Sequence, residues 1–195
     1  NARNNTLINN TANENNHHGI YLVSSSSNTL TNNTANENTQ DGIRLWYSSN
    51  NTLTNNTANG NNHYGIYLLS FSNNTVTSNR ANYNEIGIYL VSSSSNTLTN
   101  NTANSNTYYG IYLDGSSNNT LANNIANSNI RDKLPDVILS GYVDTGIYLE
   151  YSSNNTITGN TVNLNNIGIG LGHSSNNNIT NNNANLNTHN GIGLG

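Results

Sequence analysis

Apolar residues in this chain alternate with polar ones, and the alternation restarts at a fixed interval. Gly-Ile-x-Leu recurs at Gly19, Gly42, Gly65, Gly87, Gly110, Gly146, Gly168 and Gly191, in steps of 23, 23, 22, 23, 36, 22 and 23 residues. Nine residues after each of the first seven glycines stands an Asn: Asn28, Asn51, Asn74, Asn96, Asn119, Asn155 and Asn177. A small apolar residue follows seven positions later, at Ala35, Ala58, Ala81, Ala103, Ala126, Val162 and Ala184, and Asn5 and Ala12 extend both series backwards. Every change of length falls between that small residue and the next Gly. Two corners of the repeat are fixed and one tolerates insertion.

Within a unit the pattern has period two, the period of a strand and not of a helix. It places Ile20 inward, Tyr21 outward and Leu22 inward, then Asn28 in, Thr29 out, Leu30 in, Thr31 out and Asn32 in, with Ala35 inward on a third, shorter segment. Short strands separated by Ser, Asn and Gly corners, repeated this way, predict a coil of three strands. Parallel crossovers are right-handed in nearly all proteins, which fixes the hand. The expected fold is all-β: a right-handed parallel β-helix of about eight coils of 22–23 residues, with one insert at about 128–143. It is read as a single domain over 1–195, part of a longer array or a unit that stacks end to end.

Stacking equivalents roughly 4.8 Å apart turns the interior into columns. Ile20, Ile43, Ile66, Ile88, Ile111, Ile147, Ile169 and Ile192 form one, with Leu columns beside it. Three large aliphatics per coil contribute on the order of 5–8 kcal/mol before entropy. An inward Asn left unpaired costs about 1–3 kcal/mol. Stacked amides can bond to the amides above and below, so the column satisfies itself.

Composition follows from this pattern. Asn supplies 51 residues, charged residues only 7%, and the formal net charge is -4. Hydrophobic content of 32% would suit a disordered chain, but the apolar residues are too strictly placed for one. The scarcity of Lys and Arg argues against nucleic acid, and no stretch approaches the 18 apolar residues of a membrane span. The chain lacks Met and Cys, which suggests a processed chain or a fragment and rules out thiolate metal sites. Asn-x-Ser/Thr occurs at Asn4, Asn9, Asn32, Asn50, Asn55, Asn73, Asn100, Asn118, Asn154 and Asn178. These are possible glycan acceptors, although the repeat itself generates most of them.

The units "GIYLVSSSSNTLTNNTANEN" and "GIYLLSFSNNTVTSNRANYN" resemble the NosD-type repeats of right-handed parallel β-helices. Such repeats occur in a periplasmic copper-accessory family, in carbohydrate-binding and sugar-hydrolase β-helices and in archaeal cell-surface proteins. The shared residues are those that stack, so the resemblance implies the fold and transfers no catalytic motif. It covers the chain outside the insert.

Candidate chemistry lies on the outward side of the first strand. Its central column reads Tyr21, Arg44, Tyr67, Tyr89, Tyr112, Tyr148, Gly170 and Gly193. Tyr67, Tyr89, Tyr112 and Tyr148, with Trp46 nearby, suit either a platform for sugar rings or aromatic stacking that stiffens the face. Two positions on, Asp114 and Glu150 stand on adjacent coils, at the separation of a retaining glycosidase pair or of a weak Ca²⁺ site; the alternative is two ordinary surface acids. His17 and His63 lie two coils apart, too far to share an ion, so no metal site is expected. The insert, with Val137, Ile138 and Leu139, is either a docking element or a tolerated loop.

These features predict an extracellular or cell-surface structural protein of a surface layer, sheath, filament or adhesin, without enzymatic activity and without a cofactor. A carbohydrate-binding module is the alternative, and a polysaccharide-acting enzyme using Asp114 and Glu150 the third reading. Expected partners are copies of itself end to end, further repeats, or polysaccharide. Joining Gly195 to Asn1 of a second copy preserves the 23-residue step. Asn5, Leu7, His17, His189, Ile192 and Leu194 would then line the junction.

Overall fold

The structure, a computed structural model, describes residues 1–70, 72–131 and 144–195. It is a right-handed parallel β-solenoid of about eight turns without helices among the described residues, as the repeat predicts. One sheet joins the longer strands Ile20–Val23, Ile43–Trp46, Tyr64–Leu69, Ile86–Val91, Tyr109–Asp114, Thr145–Glu150, Ile167–Gly172 and Asn190–Leu194. The other joins three-residue strands, from Thr6–Ile8 and Thr29–Thr31 through Thr52–Thr54, Thr75–Thr77, Thr97–Thr99, Thr120–Ala122 and Thr156–Thr158 to Asn178–Thr180. The expected third strand is reduced to single-residue bridges such as Thr34 to Thr57 and Thr57 to Arg80. Its side of the coil is too short to pair more than once.

Pairing is between repeat equivalents throughout: Ile43 opposite Ile66, Leu53 opposite Val76, Asp114 opposite Glu150. The core is therefore a bundle of columns, with Ile66, Leu68, Leu53 and Ala58 fully buried in one coil and its neighbours alike. The repeat Gly belongs to this packing. A Cβ on Gly87 would lie 2.6 Å from the Gly110 carbonyl oxygen and 2.8 Å from the Ala103 Cβ. Glycine stands there because two sides of the coil meet.

Three buried Asn columns run the length of the solenoid. The backbone N–H and Nδ2 of Asn51 both donate to Oδ1 of Asn74, at 2.9 and 3.2 Å. Asn56 does the same to Asn79 and Asn61 to Asn84. Nδ2 of Asn51 also lies 3.1 Å from the carbonyl oxygens of Ser25 and Ser49, so both its protons have acceptors. Buried serines repeat the device: the Ser93 N–H donates to the Ser116 Oγ, and the Ser116 N–H to the Ser152 Oγ, each at 2.9 Å. The ladders cross the insert without a break, since Asn119, Asn124 and Asn129 donate to Asn155, Asn160 and Asn165. The insert's residues 132–143, including Val137, Ile138 and Leu139, lie outside the described residues.

One inward assignment is corrected. Asn32 is exposed with φ 55°, and Asn33 is the buried one, 1% exposed. A left-handed residue at the corner turns the chain and resets the alternation, so the inward position moves on by one residue. Nine of the ten glycan-acceptor asparagines occupy such left-handed corners, and all ten are exposed. Asn tolerates this conformation better than most residues, which accounts for their placement.

Replacing Asn51 with Leu should cost about 1–3 kcal/mol in denaturant unfolding, because it removes the acceptor of the Asn28 N–H and Nδ2 and the side-chain donor to the Ser25 and Ser49 carbonyls. Replacing the half-buried Thr52 should cost far less. Gly87→Ala should also destabilise, by roughly 1–3 kcal/mol, through overpacking.

Candidate functional site

The outward side of the longer strands carries the chemistry. Residues preceding the repeat Gly also face outward here, which brings Tyr64 and Tyr109 beside the expected stripe. The rings stack on one another: Tyr67 on Tyr89 at 5.3 Å and 14°, and Tyr89 on Tyr112 at 4.8 Å and 4°. Tyr109 stacks on Tyr148 at 5.3 Å and 9°, and Tyr64 meets Tyr67 and Tyr89 edge-on. Tyr67, Tyr89, Tyr112 and Tyr148 are thus half-buried in a continuous aromatic stack. Trp46 lies apart from it, stacked between Tyr21 and Tyr47, with the Arg44 guanidinium 5.5 Å from its ring and 5.0 Å from that of Tyr67.

The stack ends at Tyr148, because the next two coils carry Gly170 and Gly193 in the same column. A shelf opens there, a recess of about 370 Å³ lined by Tyr109, Tyr148, Glu150, Ile167, Gly170 and His173 among others. A Cβ on Gly170 would lie 3.0 Å from the Tyr148 ring, and one on Gly172 would collide with Glu150 Oε2. The glycines make the shelf possible.

Glu150 stands at its edge, its side chain 18% exposed. The Tyr148 hydroxyl donates to Oε2, and the His173 Nδ1 lies 2.9 Å from Oε1. The Tyr148 hydrogen bond, assisted by His173 against partial burial, holds the Glu150 carboxyl below its ordinary value. Burial, then the bond to Glu150, pushes the Tyr148 phenol well above its own. His173 is otherwise open, its side chain 68% exposed and its ring 4.9 Å from that of Tyr151. Asp114, opposite Glu150 in register, accepts from the Tyr89 hydroxyl at 3.3 Å. The two expected acids are therefore brought onto adjacent coils, each gripped by its own tyrosine.

A second polar cluster sits at the far end of the face. The Asp41 carboxylate, 1% exposed, lies 3.3 Å from Arg44 Nη1 and accepts from the Tyr64 N–H at 3.3 Å. The Asp41 N–H donates to Nδ1 of His18, also at 3.3 Å, which requires a neutral imidazole at that nitrogen. The short His18–Asp41 separation is then a packing contact, not an ion pair.

The remaining candidates do not gather into a site. His17, His63 and His189 are exposed on separate coils. Asn5 donates to Asn28, Leu7 packs on the core edge, and Ile192 and Leu194 are exposed on the strand Asn190–Leu194. Among the described residues, no group of three or more His, Asp or Glu is placed to hold a metal ion. No helix among them is long and apolar enough to cross a membrane. His173 escaped the sequence reading; its signal is its place just after the Gly172 that stacks on Glu150.

With its parallel sheets stacked coil on coil, the chain is a right-handed parallel β-helix. The chain matches the model of the right-handed β-helix region over residues 1–141 and belongs to that family. No curated protein matches it in sequence. Among solved structures it resembles the mannuronan C-5 epimerase AlgE6 A-module of Azotobacter vinelandii, with a TM-score of 0.72 and 17% identity. That match covers 97% of this chain and 57% of that one. The periplasmic alginate epimerase AlgG follows at 0.68 and 22%, covering 92% and 45%, and pectate lyase Pel9A at 0.56 and 16%, covering 75% and 44%. The chain spans about half the length of these proteins or less, and identities this low establish the shared fold. The expectation of a filament, sheath or adhesin component without enzymatic activity is corrected by this comparison: its structural neighbours are epimerases and a lyase.

The His18 cluster makes stability depend on pH. Burial, then the nearby Arg44, lowers the His18 pKa from 6.5 to about 4. The unfolded chain takes up this proton near pH 6.5 and the folded chain only near 4, so stability should fall as pH drops through that window. Asp41, raised by burial above its usual 3.8, acts in the opposite sense at the acid end. Melting temperatures from pH 7 to 4 should show the decline, and His18→Gln should flatten its upper half.

Proposed function

We propose that the chain acts on a polysaccharide, by acid–base chemistry at the shelf where the tyrosine stack ends. The observation that carries this reading is the linked trio Tyr148, Glu150 and His173 beside an open recess. Glu150 is kept ionised and receives hydrogen bonds on both oxygens. With Nδ1–H donating to Glu150, the imidazole of His173 presents Nε2 as a base, oriented by a carboxylate. Tyr148, held in its protonated form, keeps its hydroxyl proton directed at Glu150 and fixes that carboxylate, while the proton taken up at Nε2 of His173 can pass to the departing oxygen, restoring the neutral imidazole. Asp114, one coil away, gives a second carboxylate for a substrate lying along the solenoid axis.

The tyrosine edges and the Asp114 and Arg44 side chains flank the path such a chain would follow across successive coils. Tyr67, Tyr89 and Tyr112 then hold sugar units through ring edges and hydroxyls, with the one open ring face at Tyr148. The names of the structural neighbours, which include epimerases of mannuronan and alginate and a pectate lyase, support sugar polymers as the substrate class. We also assign the repeat to the NosD type on its Gly-Ile-x-Leu units and the protein to the cell exterior. The periplasmic neighbour is consistent with that location.

Purified protein should turn over at least one of polymannuronate, alginate, pectate or a neutral fructan, assayed with Ca²⁺ and with chelator, by proton exchange, new unsaturation or released reducing ends. Glu150→Gln and His173→Ala should each lower kcat by about 10²–10⁴-fold with folding intact. Tyr89→Ala should act mainly on KM. Activity should fall with acid, since the proposed base works only while Nε2 of His173 is unprotonated. Full activity in Glu150→Gln would exclude this site.

A further inference from the structure

The opposite sheet carries a different and more regular surface. Its strands present two outward positions each, and every one is Thr except Ile8, Ala122 and Asn178. The columns run Thr29, Thr52, Thr75, Thr97, Thr120, Thr156 and Thr31, Thr54, Thr77, Thr99, Thr158, Thr180, paired in unbroken register. The inward residue between them is a fully buried Leu, Val or Ile in every coil from Leu30 to Ile157. None of these outward positions is charged, in contrast to the tyrosine face with Arg44, Asp114 and Glu150.

Such a surface is a two-dimensional lattice. Its repeat is roughly 4.8 Å between coils and about 6.6 Å along a strand, the spacing of alternate residues in a parallel sheet. Each Thr sets one hydroxyl and one methyl group there, and Ile8, Ala122 and Asn178 are the three interruptions. At two places neighbouring hydroxyls lean together and hydrogen-bond, Thr77 with Thr99 at 3.0 Å and Thr158 with Thr180 at 3.1 Å. Water over rows of methyls forms cages of restricted orientation, and the hydroxyls anchor those cages at fixed intervals. Those intervals are close to the oxygen repeats on the prism faces of ice. Charged side chains would impose their own hydration geometry and spoil the match.

We infer that the threonine face binds ice. This goes beyond the action on polysaccharide, which uses the other sheet. The solenoid supplies rigidity, because each strand is fixed by the ladders beneath it.

The purified chain should shape growing ice crystals, separate the freezing from the melting point and suppress recrystallisation in a sucrose melt. Thr54→Tyr and Thr77→Tyr place bulk in the middle of the lattice at outward positions, so folding is retained. Each should lose most of that freezing-point gap at unchanged melting temperature of the protein. Tyr83→Ala, at a corner where the side chain is 69% exposed, should keep it. A fluorescent fusion should coat the surface of a growing crystal. Absence of any effect of the wild-type chain on ice would overturn the inference. So would tyrosine variants as active as wild type, or tight retention on crystalline chitin or cellulose without any effect on ice.

Discussion

The solenoid depends on one constraint: a buried amide must find its partners in the coil above and the coil below. A donor in one coil and an acceptor in the next come into reach only if every coil has the same path, length and residue at that point. Asn51 satisfies this by giving both its backbone N–H and its Nδ2 to Asn74, while receiving the same pair from Asn28. Leu or Ile columns would tolerate a slip, because dispersion contacts are non-directional. Amide columns would not. The ladders therefore set register, and the aliphatic columns supply most of the favourable burial.

Because register is fixed from inside, the outer faces carry little of the folding problem. One has been filled with Thr and the other with Tyr, acids and Gly, on nearly identical scaffolds. The insert illustrates the same freedom: thirteen or so extra residues leave the corner between Asn129 and Asp144 while the Asn129–Asn165 bond closes beneath it at 2.8 Å. The corner that accepts length is the one not pinned by an inward Asn or Gly.

The site arises where a column changes identity. Tyr148 has an aromatic neighbour on one side and Gly170 on the other, so its ring and the Glu150 carboxylate line an open recess. A uniform stack of tyrosines offers only edges. Interrupting the stack, and setting His173 at the adjoining corner, leaves Tyr148, Glu150 and His173 linked beside that recess.

The sequence by itself determined the period, the strand alternation, the buried Ile and Leu columns, the first Asn ladder and the point of insertion. Each of these is a one-dimensional regularity, and stacking copies it directly into space. Its limit appears at the corners. Asn32 and Asn33 are interchangeable in a linear pattern, and only the left-handed turn at Asn32 decides which of them enters the core. The repeat Gly read as a corner, yet it is required by the approach of the Ala103 and Asn106 side chains and the Gly110 carbonyl to Gly87, from coil sides distant in the sequence. The tyrosines were visible as a column, but their mutual stacking is set by ring rotation. The linkage of Glu150 to His173 spans 23 residues and two different corners. Such contacts depend on side-chain direction across coils, which tertiary structure alone fixes, because alternation specifies a face and not a partner.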